Sequence, residues 1–410
     1  MSTNIYHNPS AHSWTSSSPK SAAAAAAVEA FHASLPDHNV TPLVPLPRVA
    51  KELGLAHVLL KDESSRFGLP AFKILGASWA VHRSVAARIG LPPTVSPADL
   101  RAKLHHRYGG QQNNNTKTPI ARLVTCTDGN WGRAVARMAR HLALPVRIYV
   151  PNTMDAPTRA HIADEGADVR VVPSGVRVVP SGDYDASIAA ARRDADTDED
   201  ALLVMDTSWP GYEDVPAWVV EGYATMLNET DRQLAALLPD RPIPACAIAS
   251  VGVGSWAHAV TAHYKSKEKK SDSTGGCSVV AVEPTTAACL QTSLRAGHIV
   301  PIRTSNTIMC GMNCGTVSSL AWPVLRDGVD TSVVVSDHES HIATRDLHDL
   351  GVACGPCGAA PLAALRRLCR DEQAAKTLGL GEDAVVVLFS TEGARPYEVP
   401  RPEDRDVVGV

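Results

Sequence analysis

The stretch LLKDESSRFGLPAFKILGASWAVHRSV, residues 59–85, joins an apolar run to a polar loop marked by glycine and proline, and then to a helical pattern that begins near Ala71. Lys73 therefore lies in the first turn of the predicted helix. The positive end of the helix dipole disfavours a cation at this point, so the position lowers the pKa of the amine. Such a lysine can form Schiff bases near neutral pH, whereas the simpler interpretation of this stretch alone is a solvated surface lysine.

The same change from apolar run to polar turn to helix recurs along the chain. Runs that are apolar throughout, without alternation, are typical of strands covered on both faces, and they predict an open α/β fold with mostly parallel sheets. Ligands of such sheets bind beyond the carboxyl ends of the strands, so the turns after these runs are where chemistry is expected. The predicted strands are HVLLK (57–61), ARLVTC (121–126), VRIYV (146–150), ALLVMD (201–206), ACAIASV (245–251), SVVAVE (278–283) and AVVVLFS (384–390).

Composition narrows the class of protein. The chain has 410 residues, of which 44% are hydrophobic and 20% charged, enough to build two domains. Its formal net charge of -4, without a basic run, argues against nucleic acid and anionic membranes and favours a small-molecule partner. The first twenty residues lack a signal-peptide pattern, and nine cysteines form no small-domain framework, so we expect a soluble cytosolic protein with reduced thiols.

A second turn, after the predicted strand 121–126, contains Thr127, Asp128, Gly129 and Asn130 before the next helical pattern. Backbone N–H groups at the start of a helix bind anions, which predicts a substrate carboxylate at residues 127–129. Asn130 would donate to a cofactor oxygen. The alternative is a simple helix cap by Asp128 or Asn130.

A third turn, Gly252-Val253-Gly254-Ser255, follows a strand, precedes a helix and has the form of a phosphate-binding loop. Alone it also allows a dinucleotide-binding site, with Ala257 as the third small residue and Glu283 as the acidic residue at the end of the next strand. The rest of the chain shows no hydride-transfer pattern.

Together these turns resemble the fold-type II pyridoxal-phosphate enzymes, the tryptophan synthase β-like group, and within it the diaminopropionate ammonia-lyases. The resemblance implies two open, mostly parallel sheet domains, pyridoxal 5′-phosphate as the cofactor, a homodimer and no metal. It places residues 1–80 and 226–410 in a large cofactor-binding domain and 81–225 in a smaller substrate-side domain. The matching segments are KDESSRFGLPAFKILGA (61–77), TDGNWG (127–132), DTSWPGYEDVPAWVVEGYATM (206–226) and LFSTEG (388–393).

The resemblance also assigns roles. It implies that Lys73 carries the cofactor as a Schiff base and that Asn130 binds the cofactor's 3′-oxygen. Asp128 and Asp185 match the family aspartates that handle the substrate amine and transfer protons. The loop formed by Gly252, Val253, Gly254 and Ser255 would hold the phosphate.

The segment LFSTEG offers Ser390 and Thr391 as neutral partners for the pyridine nitrogen of the cofactor. A neutral partner leaves the ring a weaker electron sink and favours prompt loss of a β-substituent. The alternative is that both hydroxyls only satisfy backbone groups at the strand end.

The predicted reaction is therefore β-elimination from 2,3-diaminopropionate or a similar β-substituted alanine, giving pyruvate and ammonia. A serine/threonine dehydratase, a β-replacement enzyme and an inactive cofactor-binding relative stay open, because three features depart from the family pattern. Trp131 replaces a histidine, GPCGA (355–359) replaces a glutamate-containing turn, and VRVVPSG (169–175) is duplicated at 176–182, next to Asp185.

Two alternatives concern the cysteines. Cys354 and Cys357 have the spacing of a thioredoxin-like redox pair before a helix, which would lower a thiol pKa. With Cys310 and Cys314 they also have the spacing of a zinc site. Packing of small residues in family turns explains both pairs more simply.

Overall fold

The structure is a computed structural model that describes residues 4–11, 14–16, 22–108, 120–127, 129–173, 183–266 and 276–401. Within them the chain forms eleven strands and fifteen α-helices, numbered here in chain order. The strands are β1 (Ile5–His7), β2 (Leu43–Pro45), β3 (His57–Asp62), β4 (Arg122–Cys126), β5 (Val146–Pro151), β6 (Asp168–Val172), β7 (Ala201–Leu203), β8 (Cys246–Ser250), β9 (Ser278–Pro284), β10 (Thr331–Val335) and β11 (Val385–Ser390).

The helices alternate with these strands, as crossover connections between parallel strands require. They are α1 (Ala22–Ala33), α2 (Pro47–Leu53), α3 (Lys73–Arg88), α4 (Pro97–Tyr108), α5 (Asn130–Leu142), α6 (Ala156–Asp164), α7 (Asp183–Thr197), α8 (Asp214–Gly222), α9 (Ala224–Leu237), α10 (Ser255–Tyr264), α11 (Cys289–Ala296), α12 (Trp322–Gly328), α13 (Asp337–Asp349), α14 (Pro356–Arg370) and α15 (Glu372–Thr377). In the described part of the chain, no helix is both long and apolar enough to cross a membrane.

The chain divides into two compact units. The first unit consists of residues 1–21, 40–72 and 226–410, and its seven-stranded sheet has the order β1-β10-β9-β8-β11-β3-β2. Only the two edge strands of this sheet, β1 and β2, pair antiparallel among the described strands. The strands β8 and β11 are buried at every position, which confirms the expectation from their continuous apolar runs, and β10, which was not predicted, is buried throughout as well.

The second unit consists of residues 22–39 and 73–225, and its four-stranded sheet has the order β6-β5-β4-β7 with all pairs parallel. Both sheets therefore confirm the predicted fold class. A small apolar core lies against β4 and β7. Its buried residues in the described part of the chain are Val124, Cys126, Ala191, Ala201 and Met205, and the partly buried Ile188, Leu203, Trp209 and Tyr212 pack against them.

The two units differ from the predicted domains in where the residues before 81 belong. Both divisions change at residues 225/226, but the second unit also takes in 22–39 and 73–80. The reason is packing, since α3 contacts α5 and α8, and α1 contacts α3 and α8. The ring of Phe31 in α1 lies 5.2 Å from the ring of Trp79 in α3.

All seven predicted strands are present, although the run 201–206 is a strand only as far as Leu203. The two copies of the duplicated segment are not equally described. The first copy supplies most of β6, and the second copy lies outside the described residues.

Candidate functional site

Lys73 is the first residue of α3, so its ammonium group sits where the helix dipole disfavours a cation. The structure supplies a counter-charge, because Lys73 Nζ donates to Asp206 Oδ2 over 2.7 Å. The Lys73 side chain is 22% exposed and that of Asp206 only 5%. An amine that is partly accessible and held by one buried carboxylate is suited to covalent chemistry and proton transfer.

Asp206 was not among the predicted site residues. It lies at the end of the run ALLVMD, in the first turn after a strand, where ligand-binding residues of parallel sheets are expected. Because β7 is paired with β4, the residues that follow both strands emerge at the same edge of the sheet. The position of Asp206 at the carboxyl end of a predicted strand therefore indicates a site residue in the sequence alone.

The turn after β4 is organised by Thr127. Its Oγ1 accepts hydrogen bonds from Gly129 N at 2.8 Å and from Gly132 N at 2.9 Å. The cap position of α5 is Gly129, and Asn130 is the first residue of the helix, so Asn130 is not its cap. Asp128 lies outside the described residues, and the predicted substrate contacts of residues 127–129 stay a prediction.

Trp131 stands where the family resemblance implies a histidine, and the residue is 3% exposed. Its Nε1 donates to Thr125 Oγ1 over 2.9 Å. Lys73 Nζ lies 5.9 Å from the centroid of the Trp131 ring. The substitution therefore removes a titratable ring next to the lysine and puts an aromatic face there.

The predicted phosphate loop connects β8 to α10, whose first residue is Ser255. Gly254 has a φ of 102°, and a Cβ atom there would lie 2.9 Å from Leu325 Cδ1. A Cβ atom at Gly252 would lie 2.9 Å from Gly311 O. Both positions need glycine, and a glycine-containing turn directly before a helix is typical of loops that bind anions.

Glu283 is not placed as a dinucleotide-binding acid. Its two carboxylate oxygens accept hydrogen bonds from Leu290 N at 2.7 Å and Gln291 N at 2.8 Å, at the start of α11. The side chain is fully buried, and this burial raises its pKa to about 7. Glu283 thus serves the fold of the first unit, which removes the support for the dinucleotide alternative.

Ser390 is the last residue of β11 and is fully buried. Its Oγ finds no hydrogen-bond partner among the described residues. The Thr391 hydroxyl, in contrast, is not among the buried side-chain atoms of the described residues that lack a partner. A buried hydroxyl without a partner favours Ser390 over Thr391 as the neutral partner of a ligand nitrogen.

A buried ionic network supports the loop before Lys73. Arg66 Nη2 lies 2.6 Å from Glu63 Oε1 and 2.7 Å from Glu229 Oε2. Lys61 Nζ lies 3.0 Å from the same Glu229 oxygen. Two cations and two carboxylates that are almost fully buried fix the path of the loop from β3 towards residue 72.

The cysteine alternatives are not supported. Burial raises the pKa of Cys354 to about 12 and also raises the pKa of Cys357, which is opposite to a reactive redox pair. All nine cysteines are free thiols. Among the described residues, no cluster of three or more histidine, cysteine, aspartate or glutamate side chains could hold a metal ion.

Asp185 lies near the start of α7, and its side chain is outside the described part of the chain. Its role in proton transfer therefore stays a prediction. The remaining groups fit pyridoxal phosphate by type: an accessible amine at Lys73, an anion-binding loop at Gly252–Ser255 and a buried neutral hydroxyl at Ser390.

The family described as pyridoxal-phosphate dependent enzyme matches residues 35–391 of the chain. The chain belongs to this family. The predicted cofactor, pyridoxal 5′-phosphate, is thereby confirmed. So is the resemblance to fold-type II enzymes.

Curated relatives of this pyridoxal-phosphate dependent enzyme define its class further. It is 32% identical to the diaminopropionate ammonia-lyase of Salmonella typhimurium over 89% of this chain and 88% of that protein. It is 26% identical to the human L-serine dehydratase/L-threonine deaminase over 60% and 67% of the two chains. The predicted enzyme class, a carbon–nitrogen lyase, is confirmed.

A solved structure extends the likeness to the fold. The Escherichia coli diaminopropionate ammonia-lyase in complex with an aminoacrylate-PLP azomethine reaction intermediate has a TM-score of 0.78 and 28% identity, covering 95% of this chain and 93% of that one. The same protein in complex with D-serine has a TM-score of 0.80.

Proposed function

We propose that this enzyme eliminates ammonia from 2,3-diaminopropionate, or from a closely similar β-substituted alanine, to give pyruvate and ammonia. The observation that carries the proposal is the Lys73–Asp206 ion pair in a chain that is similar to diaminopropionate ammonia-lyases over most of its length. Bound pyridoxal phosphate supplies electron withdrawal from the α-carbon of the substrate, which makes the α-proton acidic.

Lys73 has two tasks in this reaction. Its Nζ would hold the cofactor, and the free amine would serve as a base for the α-proton of the substrate. Asp206 Oδ2, at 2.7 Å from Nζ, holds that amine in place and can exchange a proton with it. Asp128 is the alternative base that the family resemblance implies.

The leaving group is an amine, so it must be protonated before the bond to the β-carbon breaks. Asp128 and Asp185 are the proton donors implied by the resemblance, and Asp206 is a third candidate because its Oδ2 accepts a hydrogen bond from Lys73 Nζ. The enamine that leaves the enzyme then reacts with water to give pyruvate and a second ammonia. The neutral Ser390 hydroxyl favours this prompt elimination over transamination.

The test is the rate of pyruvate release from both enantiomers of 2,3-diaminopropionate, compared with serine and threonine at equal concentrations. The proposal predicts the higher kcat/KM for at least one diaminopropionate enantiomer. A preference for serine or threonine would assign the enzyme to the dehydratases. Ammonia release without pyruvate would indicate β-replacement, and a normal visible spectrum without turnover would indicate an inactive relative.

A dehydratase is the second candidate, because the human relative that carries this name matches 60% of the chain. The D-serine complex of the Escherichia coli lyase adds a hydroxyl-bearing amino acid to what that similar protein binds. A cytoplasmic location and a homodimer stay predictions, and sedimentation of the purified protein tests the second of these.

A further inference from the structure

We propose that Tyr212 is a positioning residue whose hydroxyl fixes the carboxylate of Asp206 against the amine of Lys73. This inference rests on the proposed function, because it explains how a group that acts there is held in place. The first observation is the end of β7. Its last backbone hydrogen bond to the neighbouring strand runs from Val204 N to Val124 O over 2.9 Å.

On either side of Val204, the hydroxyl of Tyr212 forms hydrogen bonds with the backbone. It accepts a hydrogen bond from Met205 N at 3.0 Å and donates one to Leu203 O at 2.9 Å. These two bonds clamp the chain at the residue directly before Asp206. Burial raises the pKa of Tyr212, so the phenol keeps its proton and can donate and accept at any working pH.

The clamp is itself held rigid. The ring of Trp209 stacks on that of Tyr212 with centroids 4.5 Å apart and planes at 13°. The Arg192 guanidinium lies 4.2 Å from the centroid of the Trp209 ring. A backbone hydrogen bond from Tyr212 N to Trp209 O, 2.8 Å long, closes the turn between the two rings. The ring stacking, the guanidinium and the backbone hydrogen bond together hold the turn that carries Tyr212. A turn held in this way positions a nearby carboxylate more accurately than a free loop does.

Among the described residues of the second unit, Asp206 and the ring of Trp131 lie next to the Lys73 amine. The phenol of Tyr223 interacts electrostatically with both Lys73 and Asp206. Tyr212 itself is close to Asp206 and Cys126. Burial raises the pKa of both tyrosines, so both phenols keep their protons and neither adds a charge beside Lys73 and Asp206.

The experiment is a double-mutant cycle with Tyr212→Phe, Asp206→Asn and the double variant, each loaded with pyridoxal phosphate. The readout is the pH midpoint at which the visible band of the bound cofactor changes, because the band reports protonation of the nitrogen that Lys73 contributes. A neighbouring carboxylate favours the protonated form, so Asp206→Asn shifts the midpoint down. Tyr212→Phe shifts it in the same direction by less, and the double variant equals Asp206→Asn alone.

Kinetics give the second readout. Tyr212→Phe lowers kcat roughly tenfold and leaves KM within about twofold, because the clamp aligns a proton-transfer group and does not bind substrate. The matched control is Tyr264→Phe, which removes a buried hydroxyl that has no hydrogen-bond partner among the described residues and leaves both readouts unchanged.

An unchanged midpoint in Tyr212→Phe, or additive shifts in the double variant, overturns the inference. If Tyr212→Phe does not fold, Trp209→Leu takes its place, since it removes the stacked ring and keeps the hydroxyl. It is expected to shift the midpoint down by a smaller amount, and no shift counts against the clamp. The midpoint needs no substrate, so failure of the wild type to act on diaminopropionate refutes the proposed function and not this inference.

Discussion

Lys73 illustrates how a residue placed unfavourably by local electrostatics is stabilised by a tertiary contact. The start of α3 disfavours its charge, and the carboxylate of Asp206 at 2.7 Å offsets that effect. The position in the helix was predictable from the sequence. The counter-charge was not, since 133 residues separate the two partners along the chain.

Replacement of Lys73 by alanine is expected to abolish covalent attachment of the cofactor. Borohydride reduction of the loaded wild type fixes the cofactor on Lys73, which peptide mass spectrometry detects. Lys103→Ala is the matched control, because Lys103 is an exposed lysine on α4 of the same unit. A fixed cofactor in the Lys73→Ala protein would contradict the assignment.

Ser390→Ala separates a ligand-binding hydroxyl from a structural one. Since Oγ has no hydrogen-bond partner among the described residues, its removal is expected to change the stability of the cofactor-free protein by less than about 1 kcal/mol. The cofactor dissociation constant is expected to rise roughly tenfold, because one hydrogen bond in the bound state is lost. Equilibrium dialysis and thermal melting measure the two effects.

Ser340→Ala is expected to give the opposite result. Its Oγ donates to Pro356 O over 2.8 Å, so the variant is expected to lose about 1 kcal/mol of stability and keep its cofactor affinity. Loss of stability in Ser390→Ala without loss of affinity would show that Ser390 only completes the strand end.

At the scale of elements, the sequence predicted which segments are strands better than where they end. The run 201–206 is apolar for most of its length, yet β7 stops at Leu203 because the Tyr212 clamp replaces the next strand bonds. The strand β10, TSVVV, was missed, although it is buried at every position. Edge strands of three residues, such as β1 and β2, carry too few side chains to form a pattern.

The carboxyl group of Glu283 at the start of α11 predicts a pH-dependent stability of the first unit. Its pKa is about 7 in the folded state against 4.5 ordinarily, so the folded protein binds an extra proton between these values. The stabilisation is complete below pH 4.5 and is lost as the pH rises through 7, by on the order of 3 kcal/mol.

Urea unfolding of the wild type and Glu283→Gln between pH 4.5 and 8 tests this effect. The variant is expected to show a flatter pH dependence, because its neutral amide mimics the protonated carboxyl group and does not titrate. Glu382→Gln, which alters an exposed carboxylate, should follow the wild type. Equal pH dependence in all three proteins would show that Glu283 does not titrate as described.

At the scale of the whole molecule, the fold class was predictable because parallel strands, turns and helices repeat along the chain. The division into units was predictable only in part. The helices α1 and α3 in the segments 22–39 and 73–80 pack with helices of the second unit, and contacts of this kind follow from tertiary packing that no local pattern reveals. The substrate likewise depends on side chains after several strands, of which Asp128 and Asp185 are not described.

The ratio of ammonia to pyruvate, measured with purified wild-type enzyme and 2,3-diaminopropionate, tests the central claim most directly. Elimination of the β-amine followed by hydrolysis of the enamine releases two ammonia molecules for each pyruvate, by mass balance of the reaction. The account predicts this ratio of about two in the wild type and in Lys103→Ala, and no pyruvate in Lys73→Ala. Ammonia without pyruvate, or equal turnover by Lys73→Ala, would contradict it.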